Sequence, residues 1–291
     1  MFINKNYSNL KKVADENSSN YLHAKPFPSI VFDNFFEEEI LNEILNDFPS
    51  NIKDIGNEFN NKAEKKLSLN SAEKLSLKTN NFINFLNSEP FVKFLNELTG
   101  IKETLITDPY LIGGGLHELK DGGFLNIHAD FNQHPRMKLD RRLNILIYLN
   151  HNWKENNGGH LELWDKEMKK CEKKVLPIFN RMVIFSTTDF SYHGNPNKVK
   201  VEENNSRKSI ALYYYSNGRP NSERKLGLHS TIFRKRPDSD DVDGNLEYKK
   251  IIGKIYLKSK ILERAKGLEP STFSLATRRS TTELCPHIKR L

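Results

Sequence analysis

The sequence predicts a mainly β protein, with helices first and a sandwich or barrel of short strands after them. Two observations carry this. From residue 101 onward, short apolar runs alternate with Gly, Asn and Asp turns: ETLITDPYLIG, LHELKDG, GFLNIHADF, RLNILIYLN, GHLELWD, KKVLPIF, RMVIFST and KSIALYYYS. Before residue 101 the apolar residues recur instead at helical intervals.

Taken in order, residues 1–22 are polar and Asn/Ser-rich and read as a flexible end. SIVFDNFF, starting at Ser29, reads as a short strand closed by the turn-prone pair Asp33-Asn34. EEEILNEILNDF places Ile40, Leu41, Ile44, Leu45 and Phe48 on one helical face, with acids at the N-terminal end where the helix dipole favours them. Residues 49–78, charged and Asn-rich, read as a long loop with a short helix. In FINFLNSEPFVKFLNELTG, Pro90 starts a second helix and Gly100 stops it. The chain thus divides into a flexible 1–22, a supporting strand and helices over 23–100, a β core over 101–218 and an extension over 219–250. A basic tail over 251–291 completes it, with a short helix expected near 246–265. The segment AKGLEPSTFSLATRRSTTELCPH has poor periodicity and a composition unlike the Asn/Lys-rich body, and no function is assigned to it.

Charge and composition exclude several classes. The formal net charge is +8, but nine basic and three acidic residues lie from 252 onward, so the first 251 residues are close to neutral. That distribution argues against a nucleic-acid-binding body. No stretch approaches the ~18 to 20 apolar residues of a membrane helix. The N-terminal stretch lacks the apolar core of a secretory signal. Cys171 and Cys285 form neither a disulfide framework nor a CxxC zinc site, which fits a cytoplasmic, reducing compartment.

The chemistry-bearing residues lie in the β region. His128 and Asp130 are two apart on GFLNIHADF, and residues i and i+2 of a strand share a face. One short strand therefore aims an imidazole and a carboxylate at one point. His193, in the loop TTDFSYHGNP, supplies a third ligand, and two His with one carboxylate make a facial triad that leaves adjacent coordination positions open. With nine His in the chain this pattern is weak alone, and a hydrogen-bonded core histidine is the bland alternative for His128. Arg207 strengthens it. Arg207, Ser209, Ala211 and Tyr213 share one strand face, and a buried guanidinium needs an anion, which it can grip with two parallel hydrogen bonds. Tyr148, on a face with Asn144 and Leu146, is a second donor to the same oxygens.

With these residues in place, the stretch from about 23 to 218 resembles the prolyl 4-hydroxylase-like branch of the Fe(II)/2-oxoglutarate oxygenases. PFPSIVFDNFF, GGFLNIHADF, YLNHNW, NNGGHLELW, SYHGNP and RKSIALYYYS carry the likeness. The resemblance implies a double-stranded β-helix, or jelly-roll, with the N-terminal helices packed against it. It implies His128, Asp130 and His193 as iron ligands, and Arg207 as the partner of the 2-oxoglutarate C5 carboxylate. Tyr148 would assist, with Ser209 and Asn144 lining the co-substrate cavity and Tyr213 pointing into it. It implies Fe(II), 2-oxoglutarate and O2, with ascorbate as a candidate reductant, and an unidentified small-molecule or peptidyl substrate. Asp130 favours hydroxylation, because halogenating relatives lack that carboxylate. Where many relatives have a tyrosine before the HxD strand, His117 takes the place.

Several secondary readings accompany these. Asp189 or Asn195 is the expected partner for the outer nitrogen of His193. His134, His151 and His160 are read as non-ligands. Gly158-Gly159 is read as a turn. NQHPRMKLDRR reads as a solvated basic loop at the cavity mouth. The competing readings are a cupin-type metal protein, a non-catalytic jelly-roll and a nucleic-acid demethylase; Arg207 disfavours the first, the complete ligand set the second, and the neutral body the third.

Overall fold

Helices precede strands as the periodicity predicts, and residues 49–78 add a hairpin to that order. In this computed structural model, residues 2–223 and 226–244 are described. The helix expected near 246–265 and the 251–291 tail lie outside them. In chain order the elements are α1 (Leu10–Leu22), β1 (Ser29–Asp33), α2 (Glu38–Asn46), α3 (Ile52–Ile55), β2 (Asn57–Asn60) and β3 (Glu64–Leu69). α4 (Leu77–Leu86), α5 (Glu89–Thr99), β4 (Ile106–Thr107), β5 (Gly115–Leu119), β6 (Phe124–Ala129) and β7 (Asp140–Tyr148) follow. The last are β8 (Leu161–Trp164), β9 (Cys171–Val175), β10 (Arg181–Ser186), β11 (His193–Asn195), β12 (Arg207–Ser216) and β13 (Ile232–Phe233).

Two expectations change. Residues 1–22, read as flexible, contain α1, capped by the Asn9 side chain on the Lys12 N–H and packed against α5. Its buried face is only Val13, Ala14 and Tyr21, too sparse a stripe to stand out among polar neighbours. Residues 49–78 contain α3 and the β2–β3 hairpin, because Leu67 and Leu69 alternate with Lys66 and Ser68 and pair with β5. The helix over 89–99 begins with Pro90 in its first turn and ends at Gly100 as expected.

The strands form one curled antiparallel sheet, ordered β1-β10-β7-β12-β5-β3-β6-β11-β8-β9, with β2, β4 and β13 added at β3, β12 and β6. Alternation sorts its two faces. On β12, Ile210, Leu212 and Tyr214 join Ile145, Ile147 and Ile184 in the large core beneath α1, α2, α4 and α5. The opposite face of the same strands turns into the curl, where Tyr148, Leu161, Leu163, Val183 and Phe185 form a second apolar cluster. This is the jelly-roll architecture, and its concave interior is where the chemistry-bearing residues meet. Among the described residues, no helix is long and apolar enough to cross a membrane.

Candidate metal centre

His128 and His193 face each other across two strands. β6 and β11 are antiparallel neighbours, and His193 pairs in register with His128, so both rings point into the curl with centroids 4.5 Å apart. His193 therefore opens a strand, where a loop was expected. Gly194 makes this approach possible: a Cβ there would lie 2.7 Å from the Asn126 and Leu125 carbonyl oxygens of β6. Asp130 follows β6 by one residue. Its Oδ1 lies 3.5 Å from His128 Nε2 and its Oδ2 lies 3.4 Å from His193 Nε2. One atom from each of the three residues falls within 4.8 Å of the others, a spacing that could hold one metal ion.

The protonation pattern suits a cation. His128 Nδ1 bonds to the Asn126 carbonyl at 2.9 Å and His193 Nδ1 to the Ser191 carbonyl at 2.8 Å. A carbonyl only accepts, so each Nδ1 is a donor and each Nε2 is left facing inward as the candidate ligand atom. These backbone acceptors replace the expected Asp189 and Asn195. Asp189 instead receives Asn132, His229 and the Leu226 N–H, and Asn195 donates to the Gly159 and His160 carbonyls. Burial pushes His193 down to about 4, against the pull of Asp130, so it is neutral at pH 7. Burial opposes ionisation of Asp130, but Arg141 and the two imidazoles outweigh it and hold the carboxyl well below the usual range. Apolar rings close the surroundings: Phe185 lies 4.7 Å from His193 and Phe233 of β13 lies 5.6 Å from His128, centroid to centroid.

Arg141 was not foreseen as part of this site. It and Arg142 are buried on β7 rather than solvated in a basic loop. Arg142 pairs with Glu103 at 2.7 Å on the outer side. Arg141 turns inward, with Nη2 3.1 Å from Asp130 Oδ2 and with Nε and Nη2 on Asn144 Oδ1 at 3.0 and 2.7 Å. Its guanidinium sits 3.5 Å from the ring centroid of Tyr213 and 4.5 Å from that of Phe131. Asn144 Nδ2 also donates to Asp130 Oδ2 at 2.8 Å. Asn144, expected among the co-substrate contacts, is thus brought to Asp130. Tyr213 does point into the curl, where its hydroxyl donates to the Gly113 carbonyl.

The opposite end of the cavity is built from β12, β7 and β5. Ser209 sits between Tyr148 and His117 in register, with Arg207 at the start of the same strand. Arg207 is 3 % exposed, yet no carboxylate lies within ion-pair distance of it among the described residues. Its Nε donates to the Gly159 carbonyl at 2.8 Å and its guanidinium carbon lies 4.9 Å from the Tyr148 ring centroid. Gly159 has φ +65°, and a Cβ on it would come within 2.8 Å of Arg207 Cδ, so the turn glycine also makes room for the guanidinium. The Tyr148 hydroxyl is fully buried and has no hydrogen-bond partner within bonding geometry among the described residues. Burial pushes Tyr148 up and Arg207 down from their ordinary values. A buried cation with no acidic partner among the described residues, beside a buried hydroxyl, fits a small carboxylate. His117 Nε2 donates to the Gly113 carbonyl at 3.0 Å and is pushed down to about 3, chiefly by burial. His134, His151 and His160 are engaged elsewhere, with Asp108, Asn42 and Glu155.

Comparison with known proteins agrees with this geometry. Residues 114–215 match the model of the 2OG-Fe(II) oxygenase superfamily. The chain is 33% identical over 79 residues to prolyl 3-hydroxylase OGFOD1 of Mus musculus, a match covering 26% of this chain and 14% of that protein. It therefore spans a small part of the length of this curated relative. A prolyl-4-hydroxylase of Pseudomonas putida superposes with TM-score 0.51 at 14% identity, over 72% of this chain and 100% of that one. A Trichoplax adhaerens prolyl hydroxylase, solved with a fragment of hypoxia inducible factor, gives TM-score 0.51 at 17% identity, over 77% and 96%.

Proposed function

We propose that this chain, a member of the 2OG-Fe(II) oxygenase superfamily, hydroxylates an aliphatic C–H bond of a protein, peptide, amino acid or small metabolite. One observation carries the reading: two imidazoles and a carboxylate converge at one end of a β cavity whose other end holds a buried arginine with no acidic partner among the described residues. The residues fit the cofactors the superfamily uses. The inward Nε2 atoms and one carboxylate are ligands for Fe(II), and Arg207 and the Tyr148 hydroxyl are donors for a carboxylate. Bound iron supplies the oxidising chemistry: with O2, 2-oxoglutarate is decarboxylated to succinate and CO2, and one oxygen atom goes to the substrate.

The chain's own residues do the rest. His128, Asp130 and His193 hold the metal, and Arg141 and Asn144 fix the orientation of Asp130 through its Oδ2. Arg207 takes the far carboxylate of 2-oxoglutarate as a fork, with the Tyr148 hydroxyl as a further donor and Ser209 beside them. Phe185, Leu163 and Phe233 keep water from the reacting atoms. A prolyl residue is the favoured target, since the mouse relative is a prolyl 3-hydroxylase. The cysteine pattern fits work in a reducing, cytoplasmic compartment. The test is a mass-spectrometric search for a +16 product that requires iron and 2-oxoglutarate, with succinate formed in step with 2-oxoglutarate consumed. Asp130→Ala is the control, and an active Asp130→Ala protein would refute the ligand assignment.

A further inference from the structure

The geometry points to Asn132 and Asp189 as positioning residues that tie the metal centre to segment 226–234, so that ion binding and the placement of this segment favour each other; this rests on His128, Asp130 and His193 as the ligands. The two histidines are aligned by their strands, since His193 pairs in register with His128. Asp130 stands one residue beyond the end of β6, outside that ladder. Arg141 and Asn144 orient its carboxylate, and its backbone needs a separate anchor.

Asn132, two residues after Asp130 and 3 % exposed, supplies the anchor. Its carbonyl accepts the Arg141 N–H of β7 at 3.0 Å. Its Nδ2 donates to Asp189 Oδ1 at 3.2 Å and to the Gly227 carbonyl. Its Oδ1 accepts the His229 N–H at 3.1 Å, and its own N–H donates to the His229 carbonyl at 3.3 Å. Asp189 lies four residues before His193 and is fully buried. Its Oδ2 accepts the Leu226 N–H at 2.8 Å, and its Oδ1 accepts His229 Nε2 at 2.9 Å. Each of the two residues thus stands on a stretch that carries a metal ligand. They are bonded to one another, and both grip the same length of backbone. Beyond His229 that backbone runs onto the histidines. Phe233 of β13 pairs in register with His128, with its ring 5.6 Å from the imidazole. The Arg234 N–H donates to the Ile127 carbonyl at 2.7 Å, and its guanidinium lies 5.4 Å from the ring centroid of Tyr192, the neighbour of His193 in the chain.

The consequence is a linkage. An ion held by Asp130 and His193 fixes the separation of the stretches they stand on, which is the separation Asn132 and Asp189 must keep to hold the segment together. Placement of 226–234 in turn restrains Asp130 before an ion arrives and lowers the ordering cost of binding it. The coupling has the same size in both directions.

The test uses the full chain and Mn(II) alone. Free ion is counted by its EPR signal, and backbone hydrogen exchange of 226–234 is followed by mass spectrometry. Mn(II) is expected to slow that exchange roughly tenfold beyond any change in α1, an ordinary size for coupling between sites. Asn132→Ala and Asp189→Ala are each expected to weaken Mn(II) binding roughly thirtyfold, as loss of a residue that orients a ligand does. The double variant should be little weaker than either, because the pair acts as one clamp. His229→Ala changes segment 226–234 alone and is expected to weaken Mn(II) binding roughly fivefold. A merely structural role lowers the urea midpoints of the metal-free variants and leaves Mn(II) affinity and the exchange response as in the unaltered chain; that result overturns the inference. So does exchange of 226–234 in the unaltered protein that is indifferent to Mn(II), a reading that needs no variant to fold. Absence of Mn(II) binding, or binding that survives in Asp130→Ala, defeats the ligand assignment itself, whereas binding without the exchange response defeats only the clamp.

Discussion

Two buried arginines face one cavity, and they are not equivalent. Arg141 has a carboxylate at 3.1 Å, whereas Arg207 has a backbone carbonyl and the Tyr148 side chain, with no acid among the described residues. Burial lowers both, but Asp130 reverses the effect for Arg141 and leaves it raised, while Tyr148 cannot do so for Arg207. The metal end is therefore self-neutralised before any ligand arrives. The Arg207 end stores an unmet need for an anion. The difference teaches how to tell a structural buried charge from a receptive one: the first already has its counter-ion, the second waits for it.

The contrast can be broken or sharpened by substitution. The largest effect is expected from Asp130→Ala, which removes a metal ligand and strands Arg141. Turnover should vanish, and metal-free stability in a urea titration should fall by about 3 to 5 kcal/mol, as when one partner of a buried pair is removed. Arg207→Gln should behave oppositely in the metal-free protein, leaving its melting temperature unchanged or higher. Its affinity for 2-oxoglutarate should drop roughly 100-fold, about 3 kcal/mol for a lost bidentate charged pair, measured by titration of the charge-transfer band. A clear loss of metal-free stability in that variant would mean that Arg207 is structural.

Acidification comes next. His117 and His193 have folded values of about 3 and about 4, below the ordinary 6.5, because burial disfavours their charged forms. The unfolded chain thus binds more protons below pH 6.5. Stability is fully present above that value and declines as pH falls toward the folded values. Between pH 7 and pH 5 the metal-free protein should lose about 2 kcal/mol for each histidine, read from denaturant midpoints. Metal should reduce the loss, since it occupies the His193 nitrogen. The smallest effect is expected from Tyr148→Phe. Its hydroxyl has no hydrogen-bond partner among the described residues, so metal-free stability should hold, while 2-oxoglutarate binds roughly fivefold more weakly, about 1 kcal/mol. Unchanged affinity would remove Tyr148 from the carboxylate site.

Legibility followed the range of the physical signal. His128 and Asp130 were readable as a pair because strand alternation is local, and Arg207, Ser209 and Tyr213 for the same reason. The hidden part of the site is Arg141. Simple alternation along β7 puts Arg142, not Arg141, on the face of Asn144. A register shift opposite Tyr214 and Tyr215 leaves Arg142 without a cross-strand partner and reverses that parity, turning Arg141 inward and Arg142 toward Glu103. The acceptors behind the imidazoles were equally hidden, since the carbonyls of Asn126 and Ser191 have no side-chain signature. α1 escaped notice because three buried residues in thirteen make too thin a stripe.

The sequence by itself determined the helix-then-strand order, the face each strand residue occupies in regular stretches, and the chemical identity of the two imidazoles, the carboxylate and Arg207. Those depend on periods of two and 3.6 residues and on residue type. Only the tertiary structure decided that His193 lies opposite His128, that Asp130 is shared with a buried guanidinium, and that Arg207 meets no acid among the described residues. These are facts of register and long-range packing, in which a one-residue shift changes which side chains meet, and no local pattern encodes them.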